Sequence, residues 1–133
     1  CGDRASLRAI HFYTDNDRVP LQADALRQAD FTQFLKLIGE SGHSSFTCLQ
    51  NVFACSSPQE QGLSLALALS EQLLHGHGAW RVHGGGFAGT IQAFVPHALV
   101  NTYAEGMERL FGKGACYRLR IRPVGGIEIG LNQ

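Results

Sequence analysis

The stretch WRVHGGGFAGTIQAFVP, residues 80–96, constrains the fold more than any other part of the chain. Two short apolar-rich runs, 80–83 and 90–95, flank Gly84, Gly85, Gly86 and Gly89, and this pattern predicts a strand, a glycine loop and a second strand. Residues without a Cβ take up positive φ at little cost and let another group come close to the backbone. Such a loop admits two readings. It can be a hairpin turn that needs unusual backbone angles, or a nest of exposed N–H groups that receives an anion. It matches neither common phosphate fingerprint. No Gly-Lys-Ser/Thr follows it, and the next element is a strand, so no helix dipole points at the loop.

A chain of 133 residues fits a single domain spanning 1–133 and is long enough to bury a core. Eleven basic and eleven acidic residues cancel, which gives no sign of a nucleic-acid partner. There is no apolar run of membrane-spanning length and no charged-then-apolar leader pattern at the start, so no membrane partner and a cytoplasmic location are expected. Cys1, Cys48, Cys55 and Cys116 are widely spaced without a Cys-x-x-Cys pair, which predicts free thiols. His75 and His77, with His83 further on, have no carboxylate or cysteine at ligand spacing, so no metal site is expected.

Helices are predicted on both sides of the hairpin. Leu7, Ile10, Val19, Leu21, Ala25 and Leu26 recur at loosely helical spacing from 3 to 29, with a kink or break before Pro20. Asp30 is placed to cap a second helix, 31–38, with Phe31, Phe34, Leu35 and Ile38 on its apolar face and Gly39 at its end. Arg4, Arg8, Arg18, Arg27 and Lys36 are read as a solvated face. Residues 40–45 form a polar connection, in which His43 beside Ser44 and Ser45 lacks the setting of a nucleophile elbow. Ser57-Pro58-Gln59-Glu60 reads as a capping box opening a third helix that stops at Gly76 or Gly78, with stripes Leu63, Ala66, Leu67, Leu74 and Leu65, Leu69, Leu73 burying much of its circumference.

Pro96 is placed as the first residue of a fourth helix, to Phe111, with Leu99, Tyr103, Met107 and Leu110 on one face. Residues 115–122 then alternate, Ala115, Tyr117, Leu119 and Ile121 against Cys116, Arg118, Arg120 and Arg122, which predicts a strand with a basic outer face. A last short run is predicted at 127–129. This order gives an α+β fold, an antiparallel sheet with helices packed on one face and the arginine row on the other.

The motif HGGGFAGT at 83–90 resembles the third conserved motif of galactokinases, usually Thr-Gly-Gly-Gly-Phe-Gly-Gly-Cys, in the superfamily that also holds homoserine, mevalonate and phosphomevalonate kinases. Arg8-Ala9-Ile10-His11, the helical run 23–30, Glu40-Ser41 with Ser44-Ser45, and the strand after the loop resemble the C-terminal third of galactokinases in the same order. The resemblance implies a ferredoxin-like C-terminal domain, with a helical segment over 1–45 and an α+β core over 46–133. It implies that the full-length enzyme transfers the γ-phosphoryl group of ATP, with Mg²⁺, to the anomeric hydroxyl of galactose. The N-terminal kinase domain of the same chain would carry the nucleotide loop, the catalytic aspartate and arginine and most sugar contacts. Gly84, Gly85, Gly86, Phe87 and Gly89 would then be cofactor-binding residues at the cleft wall, with no catalytic residue in this stretch and no activity expected from it alone. Cys1 in place of an initiating Met fits the expectation of a piece of a longer polypeptide. His83, Ala88 and Thr90 depart from the usual threonine, glycine and cysteine of the motif. A non-catalytic sugar- or nucleotide-sensing module, or a kinase of another small-molecule alcohol, is the alternative reading.

Overall fold

The computed structural model describes residues 2–87 and 89–121. The first element, α1 (Asp3–Arg27), is one continuous helix of 25 residues. Pro20 lies inside it and does not break it. A proline in a helix interior costs about 3 kcal/mol, but Pro20 and Asn16, whose carbonyl loses its N–H partner, both lie on the exposed side. Contacts with the next helix hold α1 on either side of Pro20, through Asp15 and Arg18 before it and Ala25 after it. The helix ends in a Schellman arrangement, in which Asp30 N–H donates to Ala25 O at 2.8 Å and Ala29 N–H to Leu26 O at 3.1 Å. Ala29 takes the left-handed position, φ 56°, that glycine usually fills.

Asp30 also opens α2 (Phe31–Ser44), its carboxylate accepting from Gln33 N–H at 2.9 Å, as the sequence predicts. The helix runs on past Gly39 through the stretch expected to be a connection, and a π-helical turn, Ser45–Leu49, follows. Its buried face explains the continuation: Phe34, Leu37, Ile38, Ser41, Ser44 and Ser45 keep helical spacing while changing from apolar to hydroxyl. Phe31, expected on that face, is 63% exposed. Gly42 sits where α2 presses on the first strand; a Cβ there would come within 3.0 Å of Arg81 Cβ and of Trp80 O.

The expected capping box does not start a helix. Residues 57–60 form a turn closed by Glu60 N–H to Ser57 O at 3.0 Å, and α3 spans Gly62–Leu74 with Gln61 at its N-cap position making no side-chain capping bond. One stripe of α3 is buried, Leu63, Ala66, Ser70 and Leu74, while Leu65 is exposed. The helix closes on His75, left-handed at φ 47°, one residue before the glycine expected to stop it. Strands β1 (Ala79–Val82) and β2 (Ile91–Phe94) form the predicted antiparallel hairpin, with Ala79 opposite Phe94 and Val82 opposite Ile91. Pro96 caps a 3₁₀ turn, His97–Leu99, ahead of α4 (Val100–Phe111), so the fourth helix begins later than Pro96. Tyr103 and Met107 are buried as expected, and Leu110 is exposed.

Among the described residues the fold is α+β, with four α-helices around a two-stranded sheet. Helices cover both faces of the hairpin, not one. Ala79 and Phe94 pack with Ala25, Phe34 and Ile38 of α1 and α2, and the rings of Phe34 and Phe94 meet edge to face at 5.3 Å. Trp80 and Ala93 point the other way, into a cluster of Leu74, Tyr103 and Met107 from α3 and α4. Val82 and Ile91 extend that side toward Val52 and Leu63. The alternation of a strand requires this split, because neighbouring side chains leave opposite faces. No strand forms over 115–121 among the described residues, and Tyr117, Leu119 and Ile121 are 84%, 88% and 80% exposed. An alternating pattern becomes a strand only where another strand supplies hydrogen bonds, and no described strand pairs with it. Arg122 and the run expected at 127–129 lie outside the described residues.

Candidate functional site

The glycine loop leaves the hairpin just past the pair formed by His83 N–H and Thr90 O at 3.0 Å. Gly84, Gly86 and Gly89 adopt φ of +65°, +77° and +97°, and Phe87 joins them at 57°. The loop's outer side is open to solvent: His83, Gly84, Gly85, Phe87, Gly89 and Thr90 are all exposed.

Its inner side rests on Asn51, which is 1% exposed. Asn51 Nδ2 donates to Gly85 O at 3.1 Å, and Phe87 N–H donates to Asn51 O at 2.9 Å. A Cβ on Gly86 would lie 2.3 Å from Asn51 O, so glycine is required there by the chain's own backbone as well as by φ. Gly85 differs. Its φ is not positive, and a Cβ built on it would meet nothing within 4 Å. Nothing in the described fold asks for glycine at 85.

The five residues expected to bind a cofactor thus share one loop but not one role. The Phe87 N–H is already taken by Asn51, Gly84 and Gly85 form a turn between His83 and Gly86, and no backbone acceptor among the described residues takes the N–H groups of Gly84 and Gly85. Asn51 escapes sequence reading. Its neighbours Leu49, Val52 and Phe53 stand out as apolar anchors, and a hydrogen bond to a residue 34 positions away leaves no periodic trace.

A polar cluster holds β1 to the helices behind it. Asp15 accepts from Ser41 Oγ, and Arg18 reaches Asp15 at 3.3 Å and Glu40 at 3.9 Å. Arg81 donates to Ser41 Oγ, approaches Asp15 at 3.9 Å and donates through Nε to Val82 O at 3.2 Å. Arg18 is therefore a bridge between helices and not part of a solvated face. His11 Nδ1 lies 3.0 Å from Ser44 Oγ and His11 Nε2 lies 3.9 Å from Asp15. These are the residue types of a hydrolase triad in the wrong geometry: Ser44 is buried in α2, Asp15 is committed to Ser41 and Arg18, and 3.9 Å exceeds a hydrogen bond.

Other candidates carry less. A cleft of about 900 Å³ opens between α2 and α3 beside β1, lined by Leu35, Lys36, His43, Glu71 and Trp80 among others, and no residue of the glycine loop borders it. Of the arginine row, Arg118 donates to Asn101 Oδ1 at 2.7 Å. Cys48, Cys55 and Cys116 are unpaired thiols. Among the described residues no group of three or more His, Cys, Asp or Glu is placed to hold a metal ion, and no helix is long and apolar enough to cross a membrane.

Known proteins resemble this chain over most of its length. It is 35% identical over 92 residues to the galactokinase of Mannheimia succiniciproducens, which covers 69% of this chain and 22% of that protein. The galactokinase of Haemophilus influenzae strain Rd is 34% identical over 98 residues, 74% of this chain and 24% of its own length. The chain is a galactokinase homologue that spans about a quarter of the length of these relatives. No protein-family model and no solved structure matches it.

Proposed function

We propose that this galactokinase homologue is the C-terminal domain of an ATP-dependent sugar kinase, and that its glycine loop forms one wall of a cleft completed by the N-terminal remainder of the chain. The reaction it serves is phosphoryl transfer from ATP to the anomeric hydroxyl of galactose, in the cytoplasm. Gly85 carries the reading. A glycine that the fold itself does not need, on the solvent side of an anchored loop, is accounted for by something outside that comes close to the backbone.

The chemistry of the loop fits a portion of a nucleotide site. Gly84 and Gly85 offer N–H groups without backbone acceptors among the described residues, the donors a phosphate oxygen needs. On this reading the Mg²⁺ ligands come from the N-terminal remainder of the chain, as the resemblance implies. Mg²⁺·ATP, once bound there, supplies the transferable phosphoryl group and its charge neutralisation. This chain contributes position: a fixed backbone surface, stiffened from behind by Asn51 and the Asp15, Ser41 and Arg81 cluster.

Gly85→Val in the full-length enzyme tests the reading. The loop has room for the side chain, so folded yield should stay near the parent's while kcat/KM for galactose falls by roughly a hundredfold or more, as for a misplacement of about 1 Å at a reacting centre. Equal losses of yield and of kcat/KM would assign the glycines to the fold alone. The isolated 133 residues should show no turnover with galactose and ATP.

A further inference from the structure

We propose that Asn51 is the positioning residue of the glycine loop, fixing the two peptide units on either side of Gly86 so that the outer surface at Gly85 faces the cleft. The inference rests on the cleft-wall reading above for its functional half and on geometry alone for the anchoring half.

Asn51 engages the loop from both its side chain and its backbone. Nδ2 donates to Gly85 O at 3.1 Å, while the Asn51 carbonyl accepts from Phe87 N–H at 2.9 Å. The other end of the amide is also used, with Ser45 Oγ donating to Oδ1 at 3.2 Å. Ser45 itself is 2% exposed, so the clamp is built from buried groups. The amide has one workable orientation. Turning it over would set Oδ1 against Gly85 O, two acceptors face to face.

The approach of Asn51 is itself arranged by the turn before it. Gln50 is left-handed at φ 53°, and its N–H donates to Ser45 O at 3.2 Å, which swings Asn51 out of the π-helical turn and under the loop. Gly86 then has no room for a Cβ. A donor at Gly85 O and an acceptor at Phe87 N–H together fix the planes of the 85–86 and 86–87 peptides, and hence the direction of the Gly86 N–H and the path of the chain on either side of it. Asn51 touches no reacting atom; it acts through the loop.

The test is hydrogen–deuterium exchange of residues 84–87 together with steady-state kinetics on the full-length protein, comparing Asn51→Ala, Asn51→Asp and Ser45→Ala with the parent. Losing the Gly85 clamp should speed exchange of the Phe87 N–H, the loop amide that Asn51 holds, by roughly tenfold, the factor that goes with one buried hydrogen bond. Exchange elsewhere should stay unchanged. Turnover should fall by a similar roughly tenfold factor, with KM for galactose moving less than about threefold, a split that general destabilisation would not produce. Asn51→Asp, near-isosteric but with an oxygen against Gly85 O, should be at least as severe as Asn51→Ala. Ser45→Ala, which keeps the clamp but frees the amide, should give a smaller change in the same direction.

Unchanged loop exchange in both Asn51 variants overturns the proposal. Faster exchange with unaltered kcat and KM leaves Asn51 as the loop's anchor and overturns the cleft-wall reading instead. Should both Asn51 variants fail to fold, Ser45→Ala decides: faster exchange confined to 84–87 supports the clamp, and none overturns it.

Discussion

The two faces of the hairpin are held by different forces. On the Ala79 and Arg81 face, α1 and α2 bring Phe34 and Ile38 for packing but also Asp15, Ser41 and Arg18, so polar contacts fix where β1 lies against α2. On the Trp80 and Val82 face the contacts are almost wholly apolar, and the hydroxyl pair of Ser70 and Tyr103 at 2.8 Å is the buried polar contact between α3 and α4. Apolar packing is roughly proportional to area and indifferent to direction, whereas hydrogen bonds select one register. The face that sets the aim of the strand leading into the glycine loop is the polar one. The face that supplies bulk stability is the other.

The sharpest way to break this contrast is Leu74→Ala. Leu74 is fully buried on the apolar face, and its truncation should cost about 2–5 kcal/mol of unfolding free energy in denaturant melts, with little change in salt sensitivity. Arg81→Met comes next. It keeps most of the side-chain volume but removes the guanidinium from Ser41 and Asp15, and because these groups are partly exposed the loss should be only about 1 kcal/mol, shrinking as salt is added. A loss as large as that of Leu74→Ala and insensitive to salt would show that the polar face carries bulk stability too.

An effect of similar size is the most specific. Tyr103→Phe removes the hydroxyl that meets Ser70, while Ser70 keeps its bond to Ala66 O at 2.8 Å, so near neutral pH the cost should be about 0.5–1.5 kcal/mol. Burial pushes the Tyr103 hydroxyl above its ordinary value of 10.0, against the opposing pull of the Ser70 hydrogen bond. Above pH 10 the unfolded chain therefore gives up this proton while the folded chain keeps it. The stabilisation is complete below that value and is lost as pH rises through the folded-state pKa. Cys116, also pushed up, chiefly by burial, adds a loss of the same sign that begins near 9.0. Stability measured from about pH 8 to about pH 11 should fall more steeply in the parent than in Tyr103→Phe. Parallel curves would mean that the hydroxyl is not buried as described.

Much of this was readable from the residues, and the failures share a cause. Asp30 as a cap, the hairpin at 79–94 and the existence of the four helices among the described residues follow from local pattern. Gly39 read as a helix end because glycine usually marks one, yet serines replace apolar residues on the buried side and the helix continues. Ser57-Pro58-Gln59-Glu60 has the letters of a capping box, but the chain spends them on a turn and starts α3 at Gly62. In the candidate site the glycines were legible and Asn51 was not. Glycine advertises an unusual backbone in its own letter, while a buried amide advertises nothing until its partners are known.

The sequence by itself determined the order of the four helices and that two strands flank a glycine loop, but not where each helix begins or ends, since the first depends on residues within a few positions of one another. Tertiary structure alone decided that helices cover both sides of the hairpin, that Asp15, Ser41 and Arg81 meet, that Asn51 lies beneath Gly85 and Gly86, and that 115–121 forms no strand among the described residues. Those outcomes join groups from distant parts of the chain. Their energies arise from burial and from hydrogen bonds that exist only once the elements have packed.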